Sequence, residues 1–132
     1  MFERDYLTRL FTNLAAAIRK TIFKENKDPR GSADTLEAAI GNATDIDGDA
    51  LLSLAPESMA SILQVTGTDP KVCGYIAHTL LLESQYLTEA GDDDLAAIRR
   101  GQAEALAQAY GVDLDTNEAA LNDLVNRYPE EE

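Results

Sequence analysis

Two apolar segments that meet at Gly91 constrain the fold of this chain more than any other feature. The first opens at Asp69-Pro70, an N-cap residue followed by a proline at the first helical position, where a missing N–H is harmless. Glycine then ends that segment, and three aspartates at 92–94 place negative charge where the next helix dipole favours it. The second segment ends at Gly111. The pattern predicts an antiparallel helical hairpin bent at Gly91, with the helix before the bend as the central helix.

The remaining segments also favour helices. Ala, Leu and Glu are abundant, and the apolar–polar alternation typical of strands is nearly absent. The predicted elements are a first helix over Phe2–Lys24, a helix from Ser32 as N-cap to Ala43, a brief turn at Leu51-Leu52 capped by Asp49, a short helix over Pro56–Val65, the two hairpin helices, and a last helix after Asp115. We therefore expect an all-α fold of five main helices and two short ones. It forms a single helical domain over residues 1–132, with 129–132 as a frayed acidic tail.

Charge is distributed unevenly along the chain. Its 132 residues include 11 Lys and Arg against 24 Asp and Glu, for a net charge of −13. Residues 1–31 carry a net +3, so residues 32–132 carry −16. Such an acidic body repels phosphate backbones, which predicts no nucleic-acid partner. The excess carboxylates suit either a well-solvated surface or an acidic protein that occupies a basic surface of its partner.

The chain shows no sign of export or of membrane insertion. Its N-terminus has acidic residues at once rather than an apolar signal core, and its one cysteine cannot form an internal disulfide. We therefore expect a cytoplasmic protein. Apolar runs of a few residues exclude a spanning helix, which needs roughly 20. The basic, amphipathic first helix could pack in the core, contact a partner or a second copy, or lie on an anionic membrane surface.

No residue pattern points to a metal, a cofactor or a catalytic centre. An EF-hand loop starting at Asp45 would need glycine at its sixth position and glutamate at its twelfth, whereas Gly48 and Pro56 fall at the fourth and twelfth. This stretch is predicted to connect two helices, its carboxylates capping the next turn. His78, the only histidine, lies on a polar strip with Gly74 and is expected to face solvent. Cys73 is expected to be a buried structural residue. We predict no catalytic, cofactor-binding or metal-binding residues.

Two polar residues interrupt the apolar faces of the hairpin. Glu83 and Arg99 each lie eight residues from Gly91, on opposite sides of the bend. Equidistant residues of an antiparallel hairpin lie at the same height, so we predict a direct Glu83–Arg99 contact, with Gln102 near Leu80 on the same seam. One hypothesis is an inter-helix ion pair that fixes register. The other is a groove that binds a peptide or a ligand carboxylate.

The region around the bend resembles a tetratricopeptide repeat. Leu87, Gly91, Ala96 and Ala103 fall at spacings similar to that repeat's key positions, although Gln108 stands where a closing proline is common. The stretch 31–40 resembles half of an earlier copy. This resemblance implies antiparallel helical hairpins stacked side by side.

A second resemblance covers most of the chain. The opening Met-Phe-Glu-Arg-Asp-Tyr-Leu and the later Gly-Asp-Asp-Asp-Leu-Ala-Ala-Ile are similar to a family of small bacterial proteins of unknown function, which look like tetratricopeptide-type helical proteins. The resemblance implies a bacterial origin and the same fold. It implies no catalytic residue, because no such motif of the family carries over to this chain.

These observations together favour a non-enzymatic function. The sequence lacks a nucleotide loop, a zinc-ligand spacing and a nucleophile–base pair. We expect a small protein-binding or adaptor module whose partner is a protein, a peptide or a second copy of the chain. The alternatives are an acidic regulator that occupies a basic surface, and a hydrolase that uses carboxylates alone.

Overall fold

The computed structural model describes residues 2–22, 28–44, 46–112 and 114, with side chains from Arg9 onward. These residues form six helices and no strand, which confirms the all-α prediction. The helices are α1 (Phe2–Ile22), α2 (Pro29–Asn42), α3 (Gly48–Leu52), α4 (Pro56–Val65), α5 (Pro70–Glu89) and α6 (Asp93–Tyr110). The helix predicted after Asp115 and the tail at 129–132 lie outside the described residues.

The chain folds back at Gly91, as predicted. Gly91 has φ of +86°, in the left-handed region that a glycine adopts without a steric penalty. The backbone N–H of Asp92 donates to the Leu87 carbonyl at 2.9 Å and closes the end of α5. The Asp92 carboxylate then accepts from the Leu95 N–H at 3.3 Å as the N-cap of α6. One short segment thus ends one helix and starts its antiparallel neighbour.

Two predicted helix starts were wrong. Helix α2 begins at Pro29 with Asp28 as its N-cap, whereas Ser32 is buried within the first turn. Proline suits the first helical position, so Asp28 and Pro29 start α2 just as an aspartate and a proline start α5. Helix α3 is capped by Asp47, which accepts from the Ala50 N–H at 3.2 Å, and not by Asp49. The prediction that this loop's carboxylates cap the next turn is confirmed for Asp47.

Helix α5 is the centre of the packing. It buries eleven of its residues and packs against α1, α2 and α6. The main apolar cluster takes side chains from all six helices, among them Leu14, Ile40, Leu51, Met59, Ile76 and Leu106. Gly74, predicted to lie on a polar strip, is buried instead, because Val112 covers it. The described apolar face of α1 is buried in the protein core.

None of the helices in the described ranges is long and apolar enough to cross a membrane. The tetratricopeptide-like stacking of hairpins stays a prediction.

Helices α2 and α3 approach each other through two glycines. A Cβ on Gly48 would lie 2.9 Å from the Gly41 Cα, and a Cβ on Gly41 would lie 3.1 Å from the Gly48 Cα. Backbone occupies the space on both sides, so a side chain there forces the two helices apart.

We expect Gly48→Ala to lower the free energy of unfolding by about 1–3 kcal/mol, the usual effect of overpacking. Urea denaturation followed by circular dichroism measures the change. Ala50→Ser alters an exposed position of the same helix and should change stability by less than about 0.5 kcal/mol. Equal stabilities for the two variants would contradict the close approach.

Candidate functional site

The hairpin brings Glu83 of α5 against Arg99 of α6. Arg99 Nε donates to Glu83 Oε2 at 2.8 Å, so the contact predicted from their spacing is present. Glu83 is 0% exposed and Arg99 is 6% exposed. A charge-assisted hydrogen bond in such surroundings is stronger than a neutral one, and it also fixes the register of the two helices.

Arg99 joins four helices rather than two. Its Nη1 donates to the Leu52 carbonyl at 2.9 Å and to Gln102 Oε1 at 3.2 Å, while its Nη2 donates to Glu37 Oε2 at 3.2 Å. Leu52 is the last residue of α3, and Glu37 lies in α2. The planar guanidinium suits this role, because its donors point in several fixed directions at once. We call Glu37, Glu83, Arg99 and Gln102 the buried polar cluster.

Gln102 holds the chain that follows α3. Its Nε2 donates to the Leu52 carbonyl at 3.0 Å and to the Leu54 carbonyl at 2.9 Å. The last carbonyls of a helix have no intrahelical partner, so a side-chain donor there replaces the missing bonds. Gln102 is fully buried, and its bonds from α6 fix the end of the five-residue helix α3.

Sequence reasoning missed Glu37. Its carboxylate is 28% exposed and lies 62 residues from Arg99 along the chain. The helical spacing of α2 shows that position 37 is next to the buried Leu36, but it does not show which helix packs there. A local pattern could flag Glu37 as a residue at the edge of the buried face of α2, though not as a ligand of Arg99.

The two glutamates of the cluster have very different acidities. Burial and the neighbouring Glu37 raise the pKa of Glu83 to about 9, and Arg99 only partly opposes them. Burial also disfavours the ionised form of Glu37. However, its hydrogen bond with Glu83 and the charge of Arg99 outweigh that effect and hold the pKa of Glu37 below its usual range. The pair is thus arranged to hold one proton over a wide range of pH.

The cluster adjoins an acidic cleft between α2 and α3. This cleft has a volume of about 290 Å³ and is lined by Asp34, Glu37, Ala38, Gly41, Asp47, Gly48, Asp49 and Leu52. Its described lining includes four carboxylates and no Lys or Arg. Glu37 belongs to both the cleft and the buried polar cluster, and Leu52 of the opposite wall accepts from Arg99 through its carbonyl, so Arg99 bonds both walls of the cleft.

A second cleft lies where α5 begins. It has a volume of about 390 Å³, and its walls include Phe11, Lys71, Tyr75, His78 and Tyr110. His78 is half-buried in this wall rather than freely facing solvent, which corrects the prediction. Cys73 is fully buried as predicted, and burial raises the pKa of its thiol. Within the described ranges, no group of three His, Cys, Asp or Glu side chains could hold a metal ion.

Comparison of the chain with family models, with curated proteins and with solved structures finds no match. The resemblance to a bacterial family and to tetratricopeptide repeats stays a prediction. The function must therefore be argued from the geometry of the cluster and its cleft.

Proposed function

We propose that this protein is a non-enzymatic, cytoplasmic binding module that receives a basic segment of a partner protein in the acidic cleft between α2 and α3. The four carboxylates that line this cleft carry the proposal. A Lys or Arg side chain entering the cleft would find several acceptors and no competing positive charge among the described lining residues. The partner would thus be a protein or peptide, as the sequence led us to expect.

The described surface favours charge over apolar contact as the basis of binding. Its large exposed hydrophobic residues are Ile62, Val65 and Ile98, and they lie on two different helices. The cleft, in contrast, belongs to the part of the chain that carries a net charge of −16. Charge of one sign steers an oppositely charged partner and makes its binding depend on salt.

The cleft is also held in a fixed shape before any partner arrives. Arg99 bonds both Glu37 on one wall and the Leu52 carbonyl on the other. Gln102 adds a second bond to Leu52. A preorganised site loses less conformational freedom on binding, so more of the contact energy appears as affinity.

A carboxylate-based hydrolase is the second candidate. The observation that favours it is the pair Glu37 and Glu83, whose pKa values are displaced in opposite directions as in acid–base pairs of hydrolases. General acid catalysis requires the proton donor to reach the reacting atom. Glu83 is 0% exposed and does not line the cleft, so a substrate there could touch Glu37 but not Glu83. Binding without catalysis therefore agrees better with this geometry.

Binding of a fluorescently labelled Arg-rich peptide tests the proposal. We expect the double variant Asp34→Asn/Asp49→Asn to weaken binding roughly fivefold, since two exposed charge pairs contribute about 0.5 kcal/mol each. Neither residue caps a helix, because Asp47 caps α3 and Asp28 caps α2. Affinity measured by fluorescence anisotropy at increasing salt should fall for the unmodified protein.

The matched control is Glu57→Gln/Glu104→Gln. It removes the same amount of charge at exposed positions of α4 and α6, outside the cleft. We expect this control to lose clearly less affinity than the cleft variant. An equal loss would mean that the peptide responds to the overall negative charge, and the cleft would no longer be the binding site.

A further inference from the structure

The buried polar cluster contains one carboxylate more than its single guanidinium can balance. Arg99 donates from Nε to Glu83 and from Nη2 to Glu37, and its Nη1 donates to the Leu52 carbonyl and to Gln102. A second ionised carboxylate here would be a buried charge without a balancing positive charge, which is strongly unfavourable.

One oxygen of the cluster shows where the imbalance is resolved. Glu83 Oε2 accepts from Arg99, whereas Glu83 Oε1 is buried and receives no hydrogen bond from any N–H or O–H of the described residues. The Glu37 carboxyl lies beside that of Glu83, since the two accept from the adjacent Nε and Nη2 donors on one edge of the Arg99 guanidinium. Two ionised carboxylates have only acceptors, so a bond between them requires a proton on one.

We propose that Glu83 carries a proton on Oε1 at neutral pH and donates it to the Glu37 carboxylate, so that one shared proton fastens α2 to the α5–α6 hairpin. The atoms then balance: Glu83 Oε2 acts as the carbonyl oxygen that accepts from Arg99, and Glu83 Oε1 acts as the hydroxyl. Glu37 remains ionised and pairs with Arg99. The cluster as a whole becomes neutral.

Neighbouring charged groups act on this proton in opposite directions: Glu37 raises the pKa of Glu83, and Arg99 lowers it by less. Glu37 of α2 and Arg99 of α6 act on Glu83, and α3 presents only the Leu52 carbonyl to the guanidinium. Arg30, at the start of α2, acts on Glu37 and favours its ionised form. The pKa values of the two glutamates agree with a proton that stays on Glu83. The Glu37 side chain is already 28% exposed, so when α2 moves away it is the Glu83 carboxyl that newly meets solvent.

Opening of α2 must then release a proton. In the open state Glu83 is solvated and ionises near its ordinary pKa. Opening therefore becomes easier as pH rises above that pKa, and this effect ends where Glu83 also loses its proton in the closed state. The opening constant rises at most tenfold per pH unit in this window. The shared proton does not depend on what the cleft binds, and it makes the position of Glu37 in the cleft wall sensitive to pH.

Two measurements on the whole protein test this proposal. Infrared spectroscopy near neutral pH should show a protonated carboxyl band that is lost in Glu83→Gln and kept in Glu57→Gln, an exposed control. Hydrogen-exchange protection factors of α2 amides, which are corrected for intrinsic exchange, should fall with pH by up to tenfold per unit. In Glu83→Gln they should stay constant, because the amide accepts from Arg99 and donates to Glu37 at every pH.

Absence of a protonated carboxyl near neutral pH in the unmodified protein would overturn the proposal, and that measurement needs no variant to fold. The proposal would also fail if the protection of α2 fell equally with pH in Glu83→Gln and in the unmodified protein.

Discussion

Replacing Arg99 with methionine should lower the free energy of unfolding by about 3–5 kcal/mol, the range measured when one partner of a buried ion pair is removed. Methionine retains an unbranched apolar chain of similar reach, so the loss is one of charge and hydrogen bonds rather than volume. Glu37 would lose its counter-ion, and the Leu52 carbonyl would lose one of its two donors. Urea denaturation of the variant and the unmodified protein gives the difference.

Arg100→Met is the control for this loss, since Arg100 follows Arg99 directly and is exposed. It should change stability by less than about 0.5 kcal/mol. Arg99→Lys should fall between the two, because an ammonium keeps the charge but cannot reach the four acceptors in the fixed directions of a guanidinium. If Arg99→Met were no less stable than Arg100→Met, the cluster would not hold the helices together.

The stability of the unmodified protein should decrease as pH rises from about 6 to 8.5, by at most about 1.4 kcal/mol per pH unit. Glu83 has its pKa raised to about 9 in the folded protein, above the ordinary value it takes when unfolded. Between the two values the folded protein binds one more proton than the unfolded chain. The stabilisation from this extra proton is therefore complete below the pKa of Glu83 in the unfolded chain. It is lost as pH rises through the pKa of Glu83 in the folded protein. Urea denaturation at several pH values measures the slope.

Two variants identify the group responsible for this slope. Glu83→Gln cannot titrate and should remove most of the decrease. His78→Gln, which removes the only histidine of the chain, should keep it, because the slope comes from Glu83. Glu37 and Asp92, whose pKa values are lowered, affect stability only at more acidic pH. A slope that disappears in His78→Gln and persists in Glu83→Gln would show that the titrating group is not Glu83.

Much of the helical architecture follows from short-range patterns. Asp69, Pro70, Gly91 and Gly111 mark helix ends through their own backbone and side-chain chemistry, and all four lie where the pattern predicts. At α2 the prediction placed the N-cap at Ser32, whereas Asp28 and Pro29 start the helix. Helix ends are predictable because a cap is completed by residues two or three positions away.

The first half of the buried polar cluster was predictable for a similar reason. Glu83 and Arg99 belong to two helices joined by a bend of known position, so counting from Gly91 places them at one height. The same count from Gly91 predicted that Gln102, one helical turn from Arg99, lies on this seam. Its bonds to the Leu52 and Leu54 carbonyls were not predictable, because no pattern in α6 shows that α3 ends beside it.

Residue order alone thus specifies the helices, the hairpin and the Glu83–Arg99 contact, because each depends on neighbours along the chain or on a single tight turn. Packing of α2 and α3 against that hairpin decides the rest. It brings Glu37 to Arg99, lets two glycine backbones touch, and encloses a second carboxyl group where ionisation is unfavourable. These features arise between residues up to 62 positions apart. Burial, and with it the acidity of Glu83, exists only once the distant helices have excluded water.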